Sequence, residues 1–405
     1  MGSWKRTYWV VWIANFVTAL GMMSFLVFFP SHLAKLGVVQ EKIPLWTGMI
    51  FGAAPLVASI MTPIWSAIGD RYGRRLMTIR SMLAITVFVG AMSFATEPWH
   101  LLLLRLGQGC FSGFIAPSIT LVSVVAPPDR QGFVAGSLQT AMALGAIIGP
   151  LLGASILQSH GLETVFVGVA CASFCAALLV GLFAEERASD RIPVKKGVSP
   201  LEILQSSLRD LADVWANPRM RKALVLLFWM LLAVGATSPL MEIYVRELSG
   251  PETNVTLWTG ALTSAFAATN LVAMPAWGHL GDRRGHAPAL RRCALLALGA
   301  LVLNAAALSL SMLFVARILL AASMAGSSSL PYGLAAQEVP VNRRGGAMGA
   351  VFSARTLAVA CSAMVGGACF QWVGMRGLIL LGAILLGVML VRTREASSPT
   401  PPGAD

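Results

Sequence analysis

The chain has 405 residues, 56% of them hydrophobic and only 12% charged, against about 25% charged in an ordinary soluble domain. So few charges cannot cover a water-soluble globule of this size, which excludes a soluble multi-domain enzyme. The net charge of +12 falls mostly between apolar stretches, with no aromatic-interleaved basic patch, so the expected partner is a lipid bilayer and no nucleic acid.

In chain order, twelve apolar runs predict helices over 8–29, 45–67, 77–96, 99–125, 133–157 and 163–183, then 222–245, 257–279, 293–311, 313–338, 347–370 and 376–391. The expected fold class is all-α integral membrane: twelve transmembrane helices in two pseudo-symmetric six-helix bundles, 1–183 and 222–392. A cytoplasmic central loop, 184–221, joins them, and a Pro/Ser-rich disordered tail, 393–405, follows. Lys5 and Arg6 precede a run too long for a signal-peptide core, so the first span is a retained helix. Neither it nor the fourth span contains Asp or Glu.

Between spans 2 and 3 the chain reads GDRYGRR, residues 69–75. Gly73 permits a tight reversal. Asp70 can meet the positive end of a neighbouring helix, and Arg71, Arg74 and Arg75 offer forked donors to carboxylates. Two readings stand, a charged turn that fixes orientation and a polar latch between bundles. The copy GDRRGHA at 281–287 keeps Asp282, Arg283 and Gly285 but loses the basic end. Arg105, inside span 4, is either functional or snorkels to the interface. In span 5, GAIIGPLLGA places Gly145, Gly149 and Gly153 on one face beside Pro150, for close helix approach and a bend.

The central loop carries a capping box at Ser199-Pro200-Leu201-Glu202 and an apolar stripe from Leu201 to Trp215, ended by Asn217-Pro218. That helix lies on the membrane face or packs on the bundle. Near the end of span 7, Glu242 reads as a proton carrier or as an ion pair with Arg246 at i+4. Glu338 reads as a loop residue after span 10. Arg355 in span 11 lies deeper than a snorkelling arginine prefers, so it faces the central cavity or a partner.

The halves repeat. Asp70 and Asp282 are 212 apart, as are Pro63 and Pro275, Trp65 and Trp277, and Arg105 and Arg317. PPDRQGFVAG at 127–136 answers PVNRRGGAMG at 340–349, at an offset of 213. Two parallel six-helix repeats are a transporter architecture with its site between the halves. Of 30 Lys and Arg, 23 fall on one side of the spans and four on the other (Lys35, Lys42, Arg246 and Arg376), which places both termini in the cytoplasm.

GDRYGRR resembles the signature loop of the major facilitator superfamily, although Ser66 stands where the fuller pattern has the glycine that the second copy keeps at Gly278. RLGQG, Arg105 to Gly109, resembles that superfamily's helix 4 arginine motif, and GAIIGPLLGA resembles the antiporter motif of its drug:proton exporters. SPLMEIYVREL, 238–248, resembles bacterial multidrug-resistance exporters of that branch. The resemblance implies a monomeric inner-membrane exporter of lipophilic drug-like small molecules, working by proton antiport and alternating access. It implies a latch of Gly69, Asp70, Arg71, Gly73, Arg74 and Arg75 paired with Asp129, and a second of Asp282, Arg283 and Gly285. Coupling falls to Arg105, Gln108, Gly109, Glu242 and Arg355, and the antiporter motif is Gly145, Gly149, Pro150 and Gly153. Spans 1 and 7 are implied to line the cavity, with Trp12, Asn15, Phe16, Met23, Phe25, Trp229 and Met230 as an adaptable apolar wall. A dedicated exporter of one metabolite, such as a siderophore or sugar, and an uptake symporter are the alternatives. No Walker loop, zinc spacing or Ser-His-Asp pattern is present, and the six cysteines lie in apolar spans, so no enzyme, cofactor or metal is expected.

Overall fold

The computed structural model describes residues 3–111, 113, 115–127, 130–186, 205, 209, 212, 214–339 and 344–395, and among them there is no strand. In the first half, α1 runs Ser3–Phe25, passes a 3-10 turn at Leu26–Phe28 and continues as Phe29–Lys35. Then come α2 (Ile43–Tyr72), α3 (Arg74–Met92), α4 in two pieces (Pro98–Phe111 and Ile115–Val125), α5 (Gln131–His160) and α6 (Leu162–Phe183). In the second half, α7 is Pro218–Gly235, a 3-10 turn at Ser238–Leu240, and Met241–Leu248. It is followed by α8 (Val255–Arg284), α9 (His286–Ala305) and α10 in two pieces (Leu310–Met324 and Gly326–Glu338). The last two, α11 and α12, run together through Arg344–Glu395 and part at Gly374, whose φ is 64°.

Ten helical stretches among the described residues are long and apolar enough to cross a bilayer. Twelve crossings result because each piece of α4 is too short to count alone, and because Ala347–Arg392 holds two. An even number of crossings leaves Ser3 and Glu395, the ends of the described chain, on one side, called here the near end; the opposite is the far end.

The twelve helices match the expected spans, with local differences. The fourth was expected to be one helix and is interrupted around Gly113, at φ 118°, a conformation open to glycine and costly for other residues. The third and ninth begin earlier than expected, at Arg74 and His286, because Gly73 and Gly285 complete each reversal in a single residue (φ 114° and 86°). Apolarity alone missed these starts, since the first turns are charged. α10 starts at Leu310, where the Ser309 side chain accepts from the Met312 amide at 3.2 Å. α7 is likewise capped by Asn217, which accepts from the amides of Arg219 and Met220. Glu338 is the last residue of α10 rather than a loop residue, and it pairs with Arg219 at 2.9 Å. The capping box at 199–202 and most of its stripe lie outside the described residues, as does the tail beyond Glu395, up to which α12 is helical.

Each half buries its own apolar core. Phe25, Phe28, Phe29, Met82, Leu101 and Phe166 belong to the first, and Met230, Leu240, Tyr244, Leu290, Leu301 and Leu320 to the second. The repeat holds at the level of single bonds. Trp65 Nε1 donates to the Cys110 carbonyl at 2.7 Å and Trp277 Nε1 to the Ala322 carbonyl at 2.8 Å. Each accepting carbonyl lies just before the interruption of α4 or α10. The 3-10 turns of α1 and α7 are also 212 residues apart.

The bundles meet along α2 with α11 and α5 with α8. Glycines allow the backbones to touch there. A Cβ on Gly52 would lie 2.8 Å from the Ala360 carbonyl oxygen, and one on Gly260 would lie 2.8 Å from that of Pro150.

Candidate functional site

The far end is tied across the bundles by one carboxylate. Glu242, in the first turn of Met241–Leu248, is wholly buried. Its Oε2 accepts from the Ser31 backbone N–H at 3.1 Å, and its Oε1 accepts from the Ser31 hydroxyl. Ser31 is the third residue of Phe29–Lys35, so its amide is one of the donors a helix start leaves without an intrahelical partner. The second bundle thus supplies an anion that caps a helix of the first. Arg246 lies 3.5 Å from the same carboxylate and also reaches the Ser31 hydroxyl at 3.4 Å. The ion-pair reading of Glu242 describes part of this arrangement, and neither sequence reading foresaw Ser31. Nearby, Gln158 donates to Asn254 at 3.0 Å, a second link between the bundles.

Three arginines sit inside the spans, and two of them share one device. Arg105 is almost wholly buried. Its Nε donates to the Ile50 carbonyl at 3.1 Å, Nη1 to Gln108 Oε1 at 2.6 Å and Nη2 to the Phe51 carbonyl at 3.3 Å. The Phe51 carbonyl is available because residue 55, four positions on, is proline and has no N–H to offer it. Gln108 donates in turn to Met22 Sδ at 3.1 Å, and a Cβ on Gly109 would strike the Ala54 backbone. The motif from Arg105 to Gly109 therefore clamps α4 onto α2, with no described bond from Arg105 to α5. Its repeat partner Arg317 has no proline-exposed carbonyl opposite and stacks instead on Phe266, 4.7 Å from the ring centroid. Arg355 repeats the first device: Nη1 donates at 3.0 Å to the Ser327 carbonyl, which Pro331 leaves vacant, and Nη2 to Ser328 Oγ at 3.2 Å.

The glycine face of α5 packs on α1. A Cβ at Gly145 would lie 2.6 Å from the Leu20 amide nitrogen, one at Gly149 would lie 2.6 Å from the Leu20 carbonyl oxygen, and one at Gly153 would overlap the Ser24 carbonyl. Pro150 turns its carbonyl to Gly260 of α8. One five-residue stretch of α5 thus touches both its own bundle and the other.

At the near end, Gly73 N–H donates to the Gly69 carbonyl at 2.9 Å, closing α2. The amides of Arg74 and Arg75 donate to the Glu186 carboxylate at 2.8 and 3.0 Å, and the Arg75 guanidinium reaches the Gly181 carbonyl. Glu186 thus caps α3 from the end of α6, a role that sequence reasoning missed. The side chains of Asp70 and Arg71, and the whole of Asp129, lie outside the described residues. In the second turn, Asp282 faces His286 at 3.5 Å while Arg283 is exposed. The His286 ring is buried against Gly333 and Gly281, where a Cβ on Gly333 would overlap it. The basic end is absent there because a ring packs into α10 in its place.

The cavity residues do not form one wall. Trp12, Phe16 and Met23 share one arc of α1, about 40° wide at 100° per residue. Trp12 stacks on Phe16 at 5.8 Å and donates to the Ser137 carbonyl of α5 at 3.1 Å. Phe25, by contrast, is wholly buried among Phe29 and Phe166, and Met230 is wholly buried in the second core. Neither lines open space in this conformation, because the 3-10 turn of α1 and the packing of α7 turn them inward. Asn15 is also wholly buried, and its amide makes no hydrogen bond to a described residue. Trp229 borders a shallow groove between α7, α11 and α12.

The family model of the Major Facilitator Superfamily matches residues 11–261 and 232–404. The chain belongs to that superfamily. Its curated relatives include multidrug resistance protein MdtG of Rahnella sp. (strain Y9602), 31% identical over 306 residues, covering 74% of this chain and 71% of that protein. MdtG of Proteus mirabilis (strain HI4320) is 30% identical over 288 residues, covering 70% and 69%. Among solved structures, a bacterial homolog of the human lysosomal transporter Spinster superposes with a TM-score of 0.79 at 13% identity, over 96% of each chain; at that identity it speaks to the fold alone.

As a member of the Major Facilitator Superfamily, the chain is a multi-pass membrane transporter of small molecules built from two six-helix bundles. Two signals for its polar contacts were present in the sequence and went unused: Pro55 and Pro331, each four residues after a carbonyl that an intramembrane arginine takes.

Proposed function

We propose that the chain exports lipophilic drug-like compounds by proton antiport, as a monomer in a bacterial inner membrane, with the near end cytoplasmic. The observation that carries the reading is the buried Glu242 carboxylate bridging α7 to α1 at the far end. Charged, it holds the Ser31 amide and hydroxyl and seals that end. Protonated, it gives up the charge-assisted bonds and the seal weakens, which ties proton occupancy to the side on which the bundles open. The names of the MdtG relatives and the antiporter-like stretch of α5 support drug export over uptake or a single-metabolite exporter. α5 touches α1 and α8 at once, so a shift of one bundle is felt by the other.

Arg105, Gln108 and Gly109 act in this reading as a rigid clamp of α4 on α2. The GDRYGRR turn acts as the near-end latch, with Asp70, Arg71 and Arg74 set against Asp129; the second turn, with Asp282 and Arg283, is secondary. The test is efflux from cells that lack their own exporters, loaded with a panel of lipophilic dyes and antibiotics. Several unrelated compounds should leave faster than from empty-vector cells, and Asp70→Asn should reduce this more than Asp282→Asn. Efflux of no compound would overturn the export reading, and efflux of a single compound of the panel would favour a dedicated exporter.

A further inference from the structure

We infer that Arg355, Ser328 and Tyr332 form a subsite for an anionic group on the cargo, so that this transporter prefers amphipathic organic anions such as lipophilic carboxylates; the inference rests on the export reading and gives it a substrate class. The argument begins with charge. Each of the three nitrogens of Arg105 donates to an acceptor, and Arg317 is stacked on a ring. Arg355 makes two bonds, to one carbonyl and one hydroxyl. A guanidinium has about five N–H donors, so roughly three are left over. No described carboxylate lies within ion-pair distance of Arg355, and the nearest acid in sequence, Glu338, is held by Arg219.

An unpaired cation inside a membrane protein faces a partner or a water-filled space. Arg355 lies deep in the molecule and still keeps accessible surface. Leu357, two residues on, is exposed on another side of α11, so the accessible surface of Arg355 lies away from that lipid-facing side. The remaining groups suit an anion. Ser328 and Tyr332 are four residues apart on α10, hence on one face, and both are half-buried. The Tyr332 hydroxyl lies within electrostatic reach of Arg355 and makes no hydrogen bond to a described residue. Ser329 beside them keeps a buried hydroxyl without a described partner. Anchored to the Ser327 carbonyl by the absence of a Pro331 N–H, the guanidinium presents its other edge in a fixed direction. A guanidinium and hydroxyls that can turn a proton outward, with no described carboxylate among them, select a carboxylate, sulfonate or phosphonate over an organic cation.

The test measures binding to the purified full chain, without a gradient, of two fluorescent probes: 1-pyrenebutyrate and its uncharged analogue 1-pyrenebutanol. Wild type should bind the carboxylate at least ~10-fold more tightly, the effect of one charge-assisted contact. Arg355→Gln should bring the ratio near one by weakening pyrenebutyrate about 10-fold more than pyrenebutanol. Arg355→Lys should keep part of the preference, and Tyr332→Phe should lower it a few-fold. A ratio near one in wild type, or a full preference retained in Arg355→Gln, overturns the subsite. Should Arg355→Gln aggregate on size exclusion, the other two variants decide, and an unchanged ratio in both overturns it. Gradient-driven movement of pyrenebutanol with no carboxylate preference would overturn the subsite and leave export standing. A preference lost in Arg355→Gln, with no transport of any compound, would support the subsite and overturn export.

Discussion

Replacing Glu242 by Gln perturbs the far-end seal with little change of volume. The side chain keeps an oxygen that can accept from the Ser31 amide, but the charge that strengthens both bonds to Ser31 is gone. A hydrogen bond to a charged group contributes about 1.5–3 kcal/mol and a neutral one about 0.5–1.5, so each bond weakens by about 1 kcal/mol. The Arg246 contact lies within α7, on a half-exposed arginine, and adds little to a link between bundles. Two bonds give about 2 kcal/mol, a shift of ~30-fold toward the open far end. Spin labels at the exposed positions Val39 and Glu252, placed on the two bundles after the six native cysteines are replaced, would read this as a longer-distance population in a pulsed dipolar measurement. Lowering the pH should move wild type in the same direction. A distance distribution for Glu242→Gln that matches wild type at neutral pH would refute the reasoning.

Other expectations follow from the same geometry. Gly149→Leu places a side chain on the Leu20 carbonyl and should destabilise by at least about 1–3 kcal/mol, seen as a lower melting temperature in detergent; an unchanged melt would contradict the contact of α5 with α1. Glu186→Ala should cost about 1 kcal/mol by uncapping α3, with faster amide exchange confined to Arg74–Met77. Arg105→Lys should lower the melting temperature, because an ammonium cannot serve Ile50, Phe51 and Gln108 together. Pro55→Ala supplies an N–H to the Phe51 carbonyl and so should be coupled to Arg105→Lys; strictly additive effects in a double-mutant cycle would argue against the proline account.

The repeat was legible because it is written in residue types at one offset, and Trp65 and Trp277 turn it into matching bonds. The helices were legible because apolarity alone sets a membrane span. Their interruptions were not: the break at Gly113 needs a positive φ that composition does not announce, and the early starts of α3 and α9 lie in charged turns. Glu242 stood out as an acid near a span end, yet its meaning depends on Ser31, which folding brings to it from the other bundle across 211 positions. Glu186 was hidden for the same reason, since capping an incoming helix leaves no local pattern. Phe25 and Met230 show the limit of reading cavity walls by residue type, because aromatic and thioether side chains serve a core as well as a pocket.

The central claim is that proton movement drives export through Glu242. Reconstituted in liposomes with an acidic lumen, the wild-type chain should concentrate a transported dye in the lumen beyond the level of protein-free liposomes, and a protonophore should abolish this. Glu242→Gln should still exchange dye down its own gradient but no longer concentrate it. Undiminished concentration by Glu242→Gln, or none by wild type, would contradict the account.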